Sequence, residues 1–298
     1  MRTTLTHDAM ATTFRMVIAD EEAAYARQAA AEAFAELDRV EARLSRFAEG
    51  SDIWRINRLR VGEATFVHHD TLECIRIAEQ VRCDTADAFD IAYAGRSEGV
   101  TPRGRARSRK HPACGPTTGG AFVATPMRSG AAPPLIEFDG EAHTVRVLAE
   151  GVHLDLGGIG KGFALDRMAT LLREWGIGSA LLCASTSTLL ALDAPSDEEG
   201  WAAELGPGDA PQRLVLANQA LGASGLGVKG SHIIDPRTGR PAEGRLRAWA
   251  IAPSAAVADA LSTAFMVMGD EEIRSCCRRS GASARLLCPP TGICTTIP

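Results

Sequence analysis

The sequence predicts one continuous α+β domain. Three features carry that expectation: an amphipathic helical stretch near the start, short strands set off by tight turns after residue 135, and a glycine-rich loop between a strand and a helix at 157–162.

Taken in order, residues 21–44 are rich in Ala and Glu, and Phe34, Leu37, Val40 and Leu44 recur at helical spacing, so one helix face is buried. Phe66 to His68 reads as a short strand. Thr71 to Cys83 reads as a second helix, with Leu72, Ile75, Ala78 and Val81 facing inward. Between about 96 and 135 the text changes: Arg96, Arg103, Arg105, Arg107, Arg109 and Lys110 cluster, and Gly and Pro become frequent. That stretch is expected to be an irregular surface excursion, either a solvated loop or a contact for phosphate groups.

From 135 onward the pattern tightens. Leu135 to Phe138, a turn at Asp139-Gly140, and Thr144 to Val147 make a hairpin that leads into a strand at Val152 to Leu156. Leu165, Met168, Leu172 and Trp175 form a helix stripe closed by Gly176. Strands follow at Ala180 to Cys183, Leu189 to Leu192, Leu214 to Ala217 and Ala248 to Ala252. Ser254 caps a helix that runs through Met268 and ends at Gly269, and a further helix starts at Glu271. A strand pair, Arg285 to Cys288 and Ile293 to Ile297, turns at 289–292. No long linker divides the chain, so a single domain over 1–298 is expected.

Composition narrows the partners. A chain of 298 residues with 45% hydrophobic content can bury a core, and a net charge of −5 gives no reason to expect a nucleic-acid backbone or an anionic membrane as ligand. A small molecule fits better. His7, Asp8, Arg15 and Asp20 interrupt any apolar run in the first 20 residues, so neither a signal peptide nor a membrane span is expected there. The eight cysteines include no Cys-x-x-Cys pair and read as reduced thiols of a cytoplasmic protein.

Three segments carry candidate chemistry. The loop Gly157 to Gly162 has four glycines in six residues, which suits backbone N–H groups and a helix N-terminus for holding a pyrophosphate; the same composition also suits a tight turn with no ligand. It is not a Walker A loop, since Asp155 and Gly162 stand where that motif needs Gly and Ser or Thr. Asp259 and Thr263 lie four apart on a predicted helix, so their oxygens share one face and can share a hard cation, or serve as ordinary helix residues. His232, in the text Ser231 to Gly239, has a side chain that titrates near neutrality and can accept a proton from a hydroxyl, or can be a hydrogen-bonded structural histidine.

In this order, these segments resemble the ApbE family of FAD:protein FMN transferases. The resemblance rests on Met10-Ala-Thr, Leu44-Ser-Arg-Phe47, Ser51-Asp-Ile with Asn57, Ala88-Phe-Asp90, the loop from Asp155 through Asp166, His232 through Gly239 with Pro241, and Ala258-Asp-Ala-Leu-Ser-Thr263. It implies a T-fold-like domain with mixed and antiparallel sheets flanked by helices. It also implies magnesium-dependent transfer of FMN from FAD to a Thr or Ser of an acceptor protein, releasing AMP. The alternatives are an FAD pyrophosphatase and a protein that binds FAD without turnover. By resemblance, Met10, Phe47, Ala88, Phe89, Asp90, Asp155, Lys161 and Ile233 contact FAD. The Gly158 carbonyl, Asp259 and Thr263 hold magnesium, and His232 is the base. The chain departs from the family text after the strand at 180–183, where Ala184-Ser-Thr-Ser-Thr188 replaces an Asn-x-Gly-Gly-Asp-like loop.

Overall fold

The computed structural model describes residues 1–92, 134–205, 212–226, 233–288 and 294–298. Most of the basic excursion, the turn at 289–292 and His232 lie outside the described residues.

An eight-stranded sheet forms the centre. Its strands are β1 (Arg2–Ala9), β2 (Thr12–Ala19), β6 (Ala180–Ala184), β7 (Thr188–Ala191), β10 (Gln219–Gly225), β13 (Arg247–Ala252), β14 (Ser283–Leu287) and β15 (Cys294–Ile297), in the spatial order β1-β2-β6-β7-β10-β13-β14-β15. Every neighbouring pair is antiparallel. Side chains alternate along such strands, and here both faces are buried in the middle of the sheet. Phe14, Met16, Ile18, Leu182, Ala248 and Ala250 join the main core. Leu181, Leu221, Trp249 and Ile251 join a second cluster under a small hairpin, β8 (Trp201–Leu205) with β9 (Gln212–Leu216).

The main core is closed by helices: α1 (Ala23–Leu44), α3 (His69–Asp84), α4 (Gly160–Glu174) and α5 (Ala255–Phe265). A short helix, α2 (Asp52–Ile56), follows α1, and α6 (Asp270–Ser280) precedes β14. A three-stranded sheet of β3 (Ala64–Phe66), β5 (Thr144–Val147) and β4 (Ile136–Asp139) flanks them, and β11 (Ile234–Asp235) pairs with β12 (Arg240–Pro241). Among the described residues no helix is long and apolar enough to cross a membrane.

Helix α5 is buried on nearly all sides, because alanines line it and small residues face it. A Cβ on Gly162 of α4 would sit 2.1 Å from the Ala255 carbonyl oxygen, and one on Gly222 of β10 would sit 2.1 Å from that of Ala258. Only glycine permits either approach. Thus α4 and the sheet grip α5 from two sides.

Three sequence expectations are corrected. Val152 to Leu156 is not a strand: the Asn57 side chain takes both backbone groups of Leu154, at 2.7 and 3.0 Å, and the Asp155 N–H donates to the Ile91 carbonyl at 2.8 Å. Those bonds satisfy the backbone that a ladder would otherwise claim. Helix α5 ends at Phe265 rather than Met268, since Arg245 and Arg237 take the carbonyls of Phe265 (2.9 Å) and Val267 (3.0 Å), and Gly269 instead starts α6, its N–H donating to Glu272. The strand near residue 66 spans Ala64–Phe66, because the N–H of His68 donates to Asp52 and its side chain caps α3.

Candidate functional site

Predicted site residues from three segments converge at the start of α4: Ala88-Phe-Asp90, Asp155 to Lys161, and Asp259 with Thr263. The Asp155 carboxylate accepts the Gly157 N–H at 2.9 Å, which folds the chain back into the glycine loop. Gly158 packs so closely that an added Cβ would lie 3.2 Å from the Phe89 ring and 3.5 Å from the Thr263 hydroxyl. The loop is thereby wedged between the Ala88-Phe-Asp90 segment and α5. Ala88 and Phe89 are buried, and Asp90 accepts the Ala92 N–H at 2.9 Å. Ala86 and Asp87, just upstream, have φ of 55° and 65°, a left-handed turn that Arg82 steadies by pairing with both Glu79 and Asp87.

Lys161 reaches back across the loop. Its ammonium donates to the Gly157 carbonyl at 3.3 Å and stands 3.6 Å from Asp259 Oδ2. The same Oδ2 accepts the Gly162 N–H at 3.2 Å, while Oδ1 accepts the Thr188 hydroxyl at 2.8 Å. Asp259 is 3% exposed, and burial pushes its carboxyl above the usual carboxylate range despite the opposing pull of Lys161 and the hydrogen bonds. One turn on, the Thr263 hydroxyl lies 3.4 Å from the Asp259 carbonyl and 3.1 Å from Ser224, which also meets Ser262 at 2.9 Å. The helical spacing therefore does put Asp259 and Thr263 on one face, beside Gly158.

Phe47 reaches the edge of this group through its neighbour Arg46, and Met10 sits on the β1–β2 turn. Phe47 is 79% exposed, its ring under Arg46 at 4.5 Å, and Arg46 in turn stands 3.6 Å from Asp155. Met10 and Ala11 make the β1–β2 turn with φ of 50° and 55°, an arrangement usually given to Asn-Gly. That turn projects from the same end of the sheet as the β6–β7 turn, where the Ser185 N–H donates to the Thr13 carbonyl at 3.0 Å. Beside it a cavity of about 490 Å³ is lined by Asp8, Met10, Thr13 and Glu41. Ile233 is buried at the base of the β11–β12 hairpin, which Arg237 ties to the end of α5. His232 falls outside the described residues.

Sequence reasoning gave no role to Arg46, Ser224 or Asp166. Asp166, one turn beyond Gly162, accepts the Ser254 hydroxyl at 2.7 Å and the Ala255 and Ala256 N–H groups at 2.8 and 2.9 Å, fixing the N-terminus of α5. Burial raises its carboxyl above the usual range although those bonds oppose the shift. No local signal announces such a contact, because its partners are 88 to 90 positions away.

Comparison with known proteins identifies the family. The ApbE family model matches residues 10–286. The FAD:protein FMN transferase of Escherichia coli K12 is 30% identical over 158 residues, covering 46% of this chain and 42% of that protein. The chain thus aligns with less than half the length of that relative, whereas the FAD:protein FMN transferase of Klebsiella pneumoniae strain 342 aligns over 96% of this chain and 84% of its own length at 24% identity. Among solved structures, the flavin transferase ApbE from Vibrio cholerae superposes with a TM-score of 0.77 at 21% identity, covering 99% of this chain and 96% of that one. The ApbE protein from Thermotoga maritima gives 0.78 at 25% identity, covering 99% and 97%. With strands β2, β6, β7, β10 and β13 of the central sheet, the glycine loop and α5 inside the matched span, the chain belongs to the ApbE family.

Proposed function

We propose that this protein transfers FMN from FAD to a Thr or Ser hydroxyl of an acceptor protein, with AMP as the leaving product and magnesium as the metal. The observation that supports it best is the meeting of Gly158, Lys161 and Thr263 around the buried Asp259, in a chain whose named relatives are FAD:protein FMN transferases.

In this reading FAD is held by Met10, Phe47, Ala88, Phe89, Asp90, Asp155, Lys161 and Ile233. The exposed Phe47 ring offers a face for stacking, and the Lys161 ammonium offers charge to the pyrophosphate. The Gly158 carbonyl, Asp259 and Thr263 would hold magnesium. The donor set is oxygen only, which suits that ion, and the buried Asp259 carboxylate has one cation beside it where a divalent ion would complete the compensation. Among the described residues no group of three His, Cys, Asp or Glu is placed to hold a metal, so substrate phosphates and water would fill the remaining positions. When bound, the metal would offset the negative charge that grows on the pyrophosphate.

The acceptor hydroxyl oxygen bonds to the phosphorus of the FMN half, the bond from that phosphorus to the bridging oxygen breaks, and AMP leaves with that oxygen. His232 takes the hydroxyl proton as the general base. We also assign the whole chain to one domain and its activity to the cytoplasm; Cys74, Cys183, Cys276 and Cys277 are thiols whose burial pushes their pKa up and keeps them unreactive.

The test is chromatography after incubating the purified protein with FAD and magnesium, with and without a flavoprotein acceptor peptide. Magnesium-dependent AMP with flavin covalently on the peptide is expected. No covalent flavin on the peptide overturns the transferase reading: free FMN in its place identifies a pyrophosphatase, and FAD retained intact on the protein identifies a binding protein.

A further inference from the structure

We propose that the Thr188 hydroxyl is a positioning residue for Asp259, holding its carboxylate in the orientation that accepts a divalent cation. The proposal rests on the metal assignment made above.

The argument begins with the sheet. Thr188 opens β7 directly opposite Gly222 of β10. Gly222 lies so close to α5 that an added Cβ would be 2.7 Å from the Asp259 backbone nitrogen. Thr188 is therefore carried to the one place in the sheet where α5 presents Asp259, and it is 3% exposed there. Its hydroxyl donates to Oδ1 at 2.8 Å.

On the other oxygen, Oδ2 accepts the Gly162 N–H and faces Lys161. The two oxygens are thus held from two different elements, β7 and α4. A carboxylate has about four lone-pair sites. One protein hydrogen bond to each oxygen fixes the rotation of the group and leaves lone pairs on both oxygens for a cation. Without the Thr188 bond, only the Oδ2 side is restrained, and the carboxylate can turn toward Lys161 and lose its aim. Thr188 belongs to the segment where this chain departs from the Asn-x-Gly-Gly-Asp-like text.

The test uses the full chain and Mn²⁺ as the probe, its binding followed by electron paramagnetic resonance in the presence of FAD, with FAD affinity measured separately in metal-free buffer. Thr188→Val keeps the side-chain shape without the donor. It is expected to weaken Mn²⁺ binding about 10- to 100-fold, the usual effect of losing a group that orients a metal ligand. Thr188→Ser should restore most of that loss, and metal-free FAD affinity should stay unchanged in both. Should the Val variant not fold, Thr188→Cys, a poor donor of similar size, is expected to fall between wild type and the predicted loss. Wild-type Mn²⁺ affinity in the Val or Cys variant, a Ser variant no better than Val, or equal losses of Mn²⁺ and FAD would each overturn the role. Asp259→Asn separates the two levels of inference. If it binds Mn²⁺ as wild type does, the metal assignment fails and takes the Thr188 role with it. If Mn²⁺ binds through Asp259 and Thr188 but no AMP is released, transfer fails and the positioning role stands.

Discussion

Replacing Gly162 with Ala sets two ordinary effects against each other, and the packing of α4 on α5 decides the sign. Helix propensity alone favours Ala over Gly by roughly 0.5–1 kcal/mol inside a helix. The added Cβ would lie 2.1 Å from the Ala255 carbonyl oxygen and 2.8 Å from the Ala256 Cα, where 3.4 Å is the start of ordinary contact. The obstacle is backbone, so no side chain can swing away. The helices must separate by more than 1 Å, and overpacking of that kind costs about 1–3 kcal/mol, occasionally more. The separation also lengthens the bond from Gly162 N–H to Asp259, already 3.2 Å, and strains the Asp166 bonds to Ala255 and Ala256. Gly162→Ala is therefore expected to lower Tm by roughly 2–10 °C, judged from the usual conversion for chains of this size, and to weaken divalent-cation binding at Asp259. Thermal unfolding followed by circular dichroism reads the first effect and Mn²⁺ titration the second. A variant that melts at or above the wild-type temperature would mean that propensity wins and that the close approach of α4 and α5 is not a constraint.

Asn57→Ala removes both partners of the Leu154 backbone, and leaving buried N–H and C=O groups unpaired costs about 1–3 kcal/mol each; denaturant unfolding should show the loss, together with weaker FAD binding because the segment leading into Asp155 loses one of its anchors. Met10→Gly relieves a left-handed φ of 50° that costs a non-glycine residue about 1–2 kcal/mol, so stability should hold or rise while FAD affinity, read by fluorescence titration, falls. Asp259 has a folded-state pKa raised by burial, so its contribution to stability is present at low pH and lost as pH rises through the folded value. In metal-free buffer the wild type should lose Tm relative to Asp259→Asn across that range, and magnesium should reverse the loss as the carboxylate becomes available to it; parallel pH profiles for the two proteins would refute this.

The helices were legible because their apolar positions repeat at a period only a helix satisfies: Phe34, Leu37 and Val40 of α1 and Leu165, Met168 and Leu172 of α4 are all buried. Strands whose residues break the usual propensities were not. The β1–β2 hairpin turns on Met10-Ala11 instead of a glycine pair, and β10 carries Gly222 and Gly225, which are there to let α5 and Arg247 approach rather than to favour a strand. Val152 to Leu156 has strand-like composition, yet a single side chain, Asn57, diverts its hydrogen bonds. The glycine loop and the Asp259/Thr263 pair could be read locally because each is one element's own spacing. Thr188 and Asp166 could not, since their partners are 71 and 88 positions away and only the folded sheet brings them together.

The support of α5 also bears on how the altered β6–β7 turn should be judged. The helix is held at its N-terminus by Asp166, along its length by the approaches at Gly162 and Gly222, and at its C-terminus by Arg237 and Arg245. None of these contacts uses the turn residues 185–187. Ser185 holds a φ of 52° there, where glycine would sit without strain, and its N–H donates to the Thr13 carbonyl of β2. The Ala223 N–H donates to the Ser187 carbonyl at 2.6 Å. Backbone bonds on both flanks therefore keep the turn closed without glycines, and the cost of one strained residue is small beside the paired backbone groups it preserves. What the substitution removes is the side-chain amide and acid of the family text. What it supplies in the same stretch is the Thr188 hydroxyl on Asp259. The change of text therefore leaves the framework around Asp259 intact.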